Sequence, residues 1–472
     1  MLKSSLLALG LIGATTTFAA QMTLKDAVSK AIKSHPSVRS AANAVESANH
    51  TLDASKAAYL PTADLRVASG QEESENASVT GNGDTHRRLT RFESSLTIRQ
   101  NLYSGGRISS RVKQSKAFLN EQSFNLLSQK ELVALNAIEA YLEVLKSADL
   151  VNISQENVKS HNDSLSTTSK RQEEGIARKS DVIQVKGRLA LAEAQLQREL
   201  ANKEATLERF YEAVGEKAKD LVTPKSIASK IPKDLRIAKN QALLNHPELK
   251  ALNAAVDRAE AAISEAQASY QPEVNLELTG NENNNLSGVR GNNDSYQAMV
   301  VGNWNLFRGG ADKATVASRV SDKGGAEETT LDRQGVIKRD LAVAWYARQA
   351  VLVELNYFKQ HKATVENTLE AYKEQYKIGK RTLFDLLNAR EELFQANARV
   401  IEASYSSQLS VYDIFARMGK VSNTVLTPPQ VAVQKKSMTP SVPKESNTTI
   451  KKTMDIPVNI TSPVAGDTPI DG

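Results

Sequence analysis

The side chains that most often carry catalysis or bind metals are scattered along this sequence. Histidines stand at positions 35, 50, 86, 161, 246 and 361, and no pair has the H-E-x-x-H spacing of a zinc site. The chain has no cysteine, which excludes disulfides, thiolate metal sites and cysteine nucleophiles. It also has no G-x-S-x-G motif, which argues against a serine hydrolase. The sequence therefore predicts a protein that is not an enzyme and that holds neither a metal nor a cofactor.

Two carboxylates follow glycine-containing turns at matching positions. Asp181 lies six residues after Gly175, and Asp385 lies six residues after Gly379. Each aspartate falls in the first turn of a predicted helix, where the helix dipole favours a carboxylate by about 0.3–1 kcal/mol. Thr382 and Asp385 also match a capping box. The same carboxylates could instead bond to neighbouring helices, so a capping role and a linking role both remain open.

The elements that would position these residues occur twice in the chain. The landmarks His35-Pro36, Tyr59-Leu60-Pro61 and Leu102-Tyr103-Ser104-Gly105-Gly106 recur as His246-Pro247, Tyr270-Gln271-Pro272 and Leu306-Phe307-Arg308-Gly309-Gly310. The separation is 211 residues for the first two landmarks and 204 for the glycine pairs, and the two turn glycines also stand 204 apart. Landmarks in one order at nearly constant separations indicate a duplicated architecture.

Each half contains a predicted β-hairpin followed by a predicted helical hairpin. Apolar and polar residues alternate within 62–103 and within 273–307, as in strands with one apolar face. Long helical stretches without proline follow in 107–215 and 311–418. The first helix of each stretch, with about 65 residues, would be on the order of 100 Å long. The glycine pairs between strand and helix predict tight turns, because glycine alone adopts the required backbone freely.

The two ends of the chain differ from the repeats in composition. Residues 1–20 combine Lys3, a short apolar core and small residues before Ala20, which is typical of a signal peptide. That core is far shorter than the ~20 residues of a membrane-spanning helix. The remaining predicted divisions are a first repeat at 21–215, a linker at 216–236, a second repeat at 237–427 and a tail at 428–472. The tail is rich in Pro, Thr, Ser and Lys, and we predict that it is disordered.

The charge distribution does not favour binding to nucleic acid. A formal net charge of +6 results from 60 basic and 54 acidic residues that are mixed along the chain. A nucleic-acid surface usually requires a concentrated basic patch with interleaved aromatic side chains. Only 5% of the residues are aromatic, and such a composition suits long helices better than a thick globular core.

The predicted strands pose a geometric problem. Strands of about ten residues with alternating polarity in an exported protein are typical of an outer-membrane barrel. Four strands cannot close a barrel, and an open sheet edge cannot lie in lipid. Several chains would have to contribute, giving 8, 12 or 16 strands for two, three or four copies. The alternative is a soluble β-sandwich with a coiled-coil insertion.

These features resemble the TolC-like outer-membrane factors over nearly all of residues 21–427. The repeat, the paired hairpins and the two glycine-containing turns carry the resemblance. It implies an α+β membrane protein dominated by helices: a homotrimer with a 12-strand outer-membrane barrel, four strands per chain, continued by a long antiparallel coiled-coil tunnel through the periplasm. It also implies three kinds of partner, which are a periplasmic adaptor (a membrane fusion protein), an inner-membrane ABC transporter or other pump, and outer-membrane lipid.

The function implied by the resemblance is that of an exit duct in the outer membrane of a Gram-negative cell. The segment 379–388, GKRTLFDLLN, is most similar to the branch that secretes proteins, including exporters of large adhesins. A multidrug efflux channel is the alternative within the family. An exported coiled-coil adhesin or scaffold protein is the alternative from another class.

The resemblance further implies a periplasmic tip that can close. The family pattern places an acidic residue after the first turn, here Asp181, and a Tyr and an Arg around the second, here Tyr376 and Arg381. It places two rings of acidic side chains at the positions of Asp385 and Asn388. Asn388 departs from the usual aspartate, so a trimer would carry three fewer negative charges at this position. We therefore expect cations to block the pore less strongly. The implied adaptor contacts are Gly175, Ile176, Ala177, Arg178, Gly379, Lys380 and Thr382, and the barrel-to-helix turns are Gly105, Gly106, Gly309 and Gly310.

Overall fold

The computed structural model describes residues 21–427, except for residues 77–78, 80–82 and 84–85. The predicted signal peptide at 1–20 and the predicted disordered tail at 428–472 lie outside the described residues. The helices are α1 Leu24–Ser34, α2 Pro36–Ala57, α3 Arg107–Glu173, α4 Lys179–Val214, α5 Leu235–Asn245, α6 Pro247–Gln267, α7 Ala311–Lys377, α8 Leu383–Arg417 and α9 Val421–Leu426. The strands are β1 Thr62–Ser74, β2 Arg87–Tyr103, β3 Glu273–Asn284 and β4 Asn292–Asn303.

Two very long helices dominate the described chain, as the proline-free stretches predict. Helices α3 and α7 each contain 67 residues, which corresponds to about 100 Å. Helix α4 packs against α3, and α8 packs against α7, so each repeat contains one antiparallel helical hairpin. Helix α8 also contacts α3, which brings the two helical hairpins together.

Helices α2 and α6 begin at the two His-Pro landmarks. The backbone of His35 is extended, and its Nδ1 atom accepts a hydrogen bond from the Ser37 N–H at 3.2 Å. Pro36 occupies the first turn of α2, where its missing N–H costs nothing. His246 and Pro247 take the same places at the start of α6. The landmarks are therefore helix boundaries in both repeats.

The four strands form one antiparallel sheet in the order β1-β2-β3-β4. The hairpins pair β1 with β2 and β3 with β4, and the pairing of β2 with β3 joins the two repeats. Directly opposed residues of antiparallel strands share a face of the sheet. One face is mainly apolar and carries Ala63, Leu65, Val67, Leu96, Ile98, Leu276, Leu278, Tyr296, Ala298 and Val300. The other is mainly polar and carries Asp64, Arg66, Thr97, Arg99, Asn275, Glu277, Thr279 and Gln297.

The last strand is shorter than the alternation predicts. We expect it to continue to residue 307, whereas β4 ends at Asn303. Asn303 is opposite Glu273, the first residue of β3, and the preceding Pro272 has no N–H to continue the ladder. Beyond this point the Trp304 indole N–H donates to the Tyr270 carbonyl oxygen at 3.1 Å. The strand therefore stops where its neighbour can no longer pair with it.

The main hydrophobic core lies where α1, α3, α4, α5, α7, α8 and α9 meet. Tyr141 and Phe210 are fully buried there, with ring centroids 6.3 Å apart. The Tyr141 hydroxyl donates to the Val222 carbonyl oxygen at 2.6 Å and accepts from the Val222 N–H at 2.9 Å. This pair of bonds ties the segment between the repeats to the core. Among the described residues, no helix combines the length and the hydropathy needed to cross a membrane.

Candidate functional site

The turns that close the two helical hairpins have matching backbone geometry. Gly175 and Gly379 have φ values of +75° and +74°. In each turn, the N–H of the residue after the glycine donates to a carbonyl five residues earlier, at 2.7 and 2.9 Å. Glycine adopts this left-handed conformation without a Cβ clash, and the bonds satisfy the last carbonyls of α3 and α7. The sequence duplication is therefore a duplication of structure at these tips.

The tips expose all of the residues that the resemblance assigns to adaptor contact except Ala177, which is half-buried. Ile176 is 63% exposed and Ile378, at the other tip, is 67% exposed. Arg178 and Lys380 lie beside them and are also exposed. Each tip thus presents one apolar side chain next to a cation. The assignment of these tips to an adaptor stays a prediction.

Both carboxylates of the duplicated turns cap their own helices in this chain. Asp181 accepts a hydrogen bond from the Arg178 N–H at 3.1 Å. Asp385 accepts from the Thr382 N–H at 3.2 Å and from the Thr382 hydroxyl at 2.8 Å. The Thr382 oxygen accepts from the Asp385 N–H at 3.2 Å, which completes a capping box. The bond from the Thr382 hydroxyl lowers the pKa of Asp385 and keeps it ionised.

Arg381 contacts only its own hairpin among the described residues. Its Nε donates to Oε1 of Gln375 at 3.0 Å, and its guanidinium lies 4.3 Å from the ring centroid of Tyr372. The nearest oxygen of Asp385 is 4.0 Å away, at the limit of an ion pair. Stacking on an aromatic face favours a guanidinium. The arginine is thus oriented by the end of α7.

Tyr376 contacts the other hairpin. The Arg171 guanidinium, at the end of α3, lies 5.1 Å from the centre of the Tyr376 ring. The ring also packs on a small cluster formed by Val185, Leu383 and Leu387. Val185 belongs to the first hairpin and both leucines belong to the second. An apolar contact just above the tips therefore joins the hairpins.

Asn388 also bonds across the hairpins. Its Oδ1 accepts a hydrogen bond from Nη2 of Arg188 at 2.7 Å, which links α8 to α4. Two residues further along α8, Nη1 of Arg390 donates to the carbonyl oxygen and the hydroxyl of Ser160 at 2.9 and 3.0 Å. The same nitrogen also bonds to the Ser164 hydroxyl. The second hairpin is therefore bonded to both helices of the first.

A buried histidine lies beside these bonds. His161 is only 1% exposed, and its Nδ1 atom has no hydrogen-bond partner among the described residues. Burial lowers the pKa of His161, and the charge of Arg390 lowers it further, while Glu391 acts in the opposite direction. The side chain is therefore neutral at neutral pH.

The glycine pairs lie between the sheet and the long helices, as the sequence predicts. Gly105 and Gly106 have φ values of +62° and +85°, and Gly309 and Gly310 have +62° and +86°. A Cβ atom on Gly105 would lie 2.3 Å from the Cβ of Gln271, so a side chain cannot be placed there without displacement. The pairs therefore turn the chain sharply from strand into helix.

The part of the chain that the structure describes contains no group of three or more His, Cys, Asp or Glu side chains arranged to hold a metal. The described chain instead combines a small sheet with two long helical hairpins that contact each other near their tips. The family model described as outer membrane efflux protein matches residues 27–216 and 238–420. The chain belongs to the outer membrane efflux protein family. The family suggested by the repeat is thereby confirmed.

Several curated relatives match most of the length of this chain. The outer membrane efflux protein BepC of Brucella suis is 21% identical over 403 residues, covering 85% of this chain and 86% of BepC. The alkaline protease secretion protein AprF of Pseudomonas aeruginosa is 24% identical over 404 residues, covering 81% of each chain. The outer membrane protein TolC of Salmonella enteritidis is 22% identical, covering 70% of this chain and 69% of TolC.

Solved structures show the same fold. The CmeC outer membrane channel of Campylobacter jejuni superimposes with a TM-score of 0.73 at 16% identity, covering 84% of this chain and 86% of CmeC. The outer membrane protein VceC of Vibrio cholerae gives 0.69 at 17% identity, covering 84% and 96%. At these identities the likeness is one of fold, and the helix-dominated architecture with a small antiparallel sheet is common to them.

Sequence reasoning missed the arginines that contact residues of the other hairpin. Arg171, Arg188 and Arg390 lie in helices rich in charged residues, where most such side chains face solvent. Arg188 stands 200 residues before its partner Asn388, and no local pattern joins them. Only the packing of α8 on the first hairpin brings these groups together.

Proposed function

We propose that this protein is the outer-membrane exit duct of a tripartite export system in a Gram-negative cell, assembled as a homotrimer. The observation that carries the proposal is the four-stranded sheet, which has one apolar face and ends in the edge strands β1 and β4. In lipid, the outer N–H and C=O groups of these strands need partners, and further copies of the sheet would supply them.

The size of the barrel and the resemblance together indicate the number of copies. Two copies would give eight strands, and the interior of such a small barrel is filled by its own side chains. Three copies give 12 strands and four give 16, both of which leave a lumen. The resemblance to TolC-like factors favours three. The polar face, with side chains such as Asp64, Arg66 and Gln297, would then line the passage.

An exposed seam on α7 supports self-association of the helical part as well. Val343, Tyr346, Ala350, Val353 and Tyr357 are exposed and follow each other at alternating steps of three and four residues. This is the spacing by which one helix packs into another in a coiled coil. We define these five residues as the α7 seam and propose that it packs against a helix of the next copy.

The remaining parts of the proposal concern the periplasmic end. Helices of about 100 Å would extend the duct through the periplasm. The tips around Ile176 and Ile378 would meet a periplasmic adaptor, which in turn connects the duct to an inner-membrane ABC transporter or other pump. The tips would also form the end that closes, with Tyr376 in the contact between hairpins. The duct itself conducts passively.

The cargo we propose is a protein of the type I secreted class, such as a large adhesin. The segment 379–388 supports this, as does the similarity to AprF, which is named for the secretion of alkaline protease. The alternative is efflux of small molecules, which is supported by the similarity to BepC, named an efflux protein.

The assembly is tested on the full-length protein expressed with its own leader in a Gram-negative host. We expect it in the outer-membrane fraction, extracted by detergent as a particle with the mass of three chains, and conducting ions in a planar bilayer. A soluble monomer without conductance would refute the duct and favour the exported coiled-coil adhesin or scaffold.

The cargo is tested by deleting the gene in its own host and restoring it on a plasmid. Loss of one or more large proteins from the cell surface and medium, with unchanged accumulation of ethidium, is the expected result. The opposite pattern, with unchanged secreted proteins and raised ethidium accumulation, would replace protein secretion by small-molecule efflux.

A further inference from the structure

The two β-hairpins of the sheet have the same internal pairing. Thr62 is opposite Arg99 in the first hairpin, and Glu273 is opposite Asn303 in the second. Thr62 and Glu273 are 211 residues apart, and Arg99 and Asn303 are 204 apart, as at the sequence landmarks. The register is constant along both hairpins, so the match holds for every paired residue of β3 and β4. A pair in one repeat therefore predicts the pair at the matching positions of the other.

The two repeats differ at the ends of β2 and β4. The pairing of β1 with β2 ends at Arg99, so the last residues of β2, 100–103, are paired with β3 alone. The matching residues after β4 are 304–307, which we define as the β4 extension. Because β4 is an edge strand, no strand of the described chain lies beside its outer side, and the β4 extension is not part of a strand.

The β4 extension is built like the end of β2. Its sequence is Trp-Asn-Leu-Phe and that of residues 100–103 is Gln-Asn-Leu-Tyr, so two residues are identical and the last is aromatic in both. The Trp304 indole N–H donates to the Tyr270 carbonyl oxygen at 3.1 Å. Gln100, at the matching position, donates to the carbonyl oxygen of Tyr59 at 3.0 Å. The extension therefore starts on the path of a strand and lacks a neighbouring strand.

Both edges of the sheet expose apolar side chains. Leu306 and Phe307 in the β4 extension are 78% and 84% exposed, and Leu65 on β1 is also exposed. The residue of β3 that corresponds to Leu65 is Leu276, which is half-buried beside β2. An open strand edge is a template for pairing with another strand. The two edges thus have surfaces that a further sheet would cover.

The pairing of β2 with β3 shows which strand fits the edge of β4. It joins the second strand of one repeat to the first strand of the next repeat. The strand that would follow β4 in the same order is β1 of another copy. Since the two hairpins have the same register, the junction between copies can have the same geometry as the junction between repeats.

We infer that the β4 extension becomes a strand on assembly, paired with β1 of the next copy in the register of β2 with β3. The inference rests on the proposed trimeric duct and adds the residues that meet between copies. The predicted pairs, with the second residue in the next copy, are Val300 with Ser69, Val301 with Ala68, Gly302 with Val67, Asn303 with Arg66, Trp304 with Leu65, Asn305 with Asp64 and Phe307 with Ala63. From Val300 to Asn305 the two residues of each pair share a face of the sheet, which a shift by one residue would not allow.

One polar pair gives this register a specific contact. Between the repeats, Nδ2 of Asn101 donates to Oδ1 of Asn275 at 2.9 Å. At the matching places between copies, the identical amide of Asn305 would donate to the carboxylate of Asp64. Asn305 and Asp64 are exposed in the single chain and lie at opposite edges of its sheet. A bond between them therefore requires a second copy.

A second polar pair has the opposite distribution of charge. Between the repeats, Nε of Arg99 donates to Oε1 of Glu277 at 2.9 Å. The matching residues between copies are Asn303 and Arg66, so the cation lies on the other strand and has an amide oxygen as its acceptor. A carboxylate at position 303 would thus be favourable, whereas one at position 305 would face Asp64.

The register is tested with cysteine pairs in the full-length protein, which has no cysteine of its own. Val67→Cys is combined with Gly302→Cys in one variant, and Ala68→Cys with Val301→Cys in another. Adjacent antiparallel pairs alternate between close and wide spacing, so oxidation should give a covalent trimer in at least one of them. Val67→Cys with Val300→Cys, shifted by two residues, should stay uncross-linked because diagonal Cα atoms are about 7–8 Å apart. A covalent trimer from the shifted pair alone, or from no pair, would overturn the register.

The polar pair is tested by exchanging its two side chains. Asn305→Asp should lower the temperature at which the detergent-solubilised trimer dissociates, because like charges would be directly opposed. Adding Asp64→Asn should restore it, since the amide and the carboxylate then face each other again. Asn303→Asp, on the same face, should not lower it because it would face Arg66. No loss in Asn305→Asp, or a loss that Asp64→Asn does not restore, would overturn the pair.

These outcomes are distinguishable from failure of the duct itself. A wild-type protein that remains a soluble monomer would refute the proposed function before any variant is compared. A wild-type trimer whose variants follow another register would refute the inference alone. If a cysteine variant does not assemble, the exchange of Asn305 and Asp64 decides.

Discussion

The two faces of the sheet can be told apart by placing the same charge on adjacent residues. Leu278 lies on the apolar face of the central strand β3, opposite Ile98 and Ala298. Thr279, the next residue, lies on the polar face opposite Thr97 and Gln297. If the apolar face meets lipid, Leu278→Arg should prevent assembly, and Thr279→Arg at the same depth should assemble normally.

The free-energy cost of Leu278→Arg depends on how deep Leu278 lies in the membrane. It stands four residues from Val274 and four from Glu282, the first acidic side chain on the apolar face of β3. At ~3.4 Å per residue and a tilt of ~40°, each interval covers about 10 Å of membrane depth. Leu278 is thus near the midplane, where an arginine costs about 2–4 kcal/mol. In a trimer the three copies together would cost about 6–12 kcal/mol, enough to abolish assembly.

The assay compares the outer-membrane content of the two variants with wild type and then their electrophoretic migration without heating, which reports the intact trimer. Equal assembly of Leu278→Arg and Thr279→Arg would refute the assignment of faces. Loss of only the Thr279 variant would reverse it. Asn275, on the polar face, is an unsuitable control because it is buried and accepts a hydrogen bond from Asn101 at 2.9 Å.

Three further predictions concern the helical part. Tyr405→Phe should lower the free energy of unfolding by about 1–3 kcal/mol, since the buried hydroxyl donates to Asp149 at 2.8 Å across the hairpins. Stability should fall as the pH decreases from about 7 to about 5, because unfolded His161 takes up a proton near its ordinary pKa of about 6.5 while folded His161, with a lowered pKa, does not. His161→Gln should reduce this dependence and leave the part due to His246, whose pKa is also lowered by burial. Asp385→Ala should lower stability by about 1 kcal/mol through loss of its capping box with Thr382, with conductance unchanged.

Each of these three predictions has a control variant and a result that would contradict it. Thermal unfolding of the detergent-solubilised trimer measures all three, with the exposed Tyr211→Phe and His50→Gln expected to match wild type. If Tyr405→Phe unfolds like Tyr211→Phe, the bond to Asp149 contributes nothing. A pH dependence of the same size in the His161 variant and in wild type would assign it to another group. A rise in conductance of Asp385→Ala without loss of stability would favour a link between copies over a cap.

Much of the fold could be predicted from the sequence because it depends on local rules. Glycine at the positive φ of Gly175 and Gly379, proline after His35 and His246, and the absence of proline through both long helices determine where elements begin and end. The alternation of polarity along the strands is by itself enough to assign Leu278 and Thr279 to opposite faces, and the strand pairing agrees. The duplication strengthens each of these predictions, because every local signal occurs in both repeats.

Tertiary structure decided which polar groups meet. The sequence left capping and linking equally open for Asp181 and Asp385. The geometry of each tip turn brings their oxygens to the N-cap N–H groups of Arg178 and Thr382, which shows the caps, and a link to a neighbouring hairpin stays a prediction. The end of β4 at Asn303 could not be predicted from the local sequence either, because it depends on the last residue of β3 that can pair with β4.

The hydrogen bonds between the two helical hairpins show most clearly what the sequence could not predict. Nothing near Asn388 in sequence indicates that its amide bonds to Arg188, or that Arg390 bonds to Ser160. A helix of mixed charge presents many arginines at similar spacing, and the few that become half-buried are selected by the rotation and position of a second helix packed against it. Local propensity and periodicity determine the helices themselves, whereas the packing of two distant hairpins determines which of their side chains come within hydrogen-bonding distance.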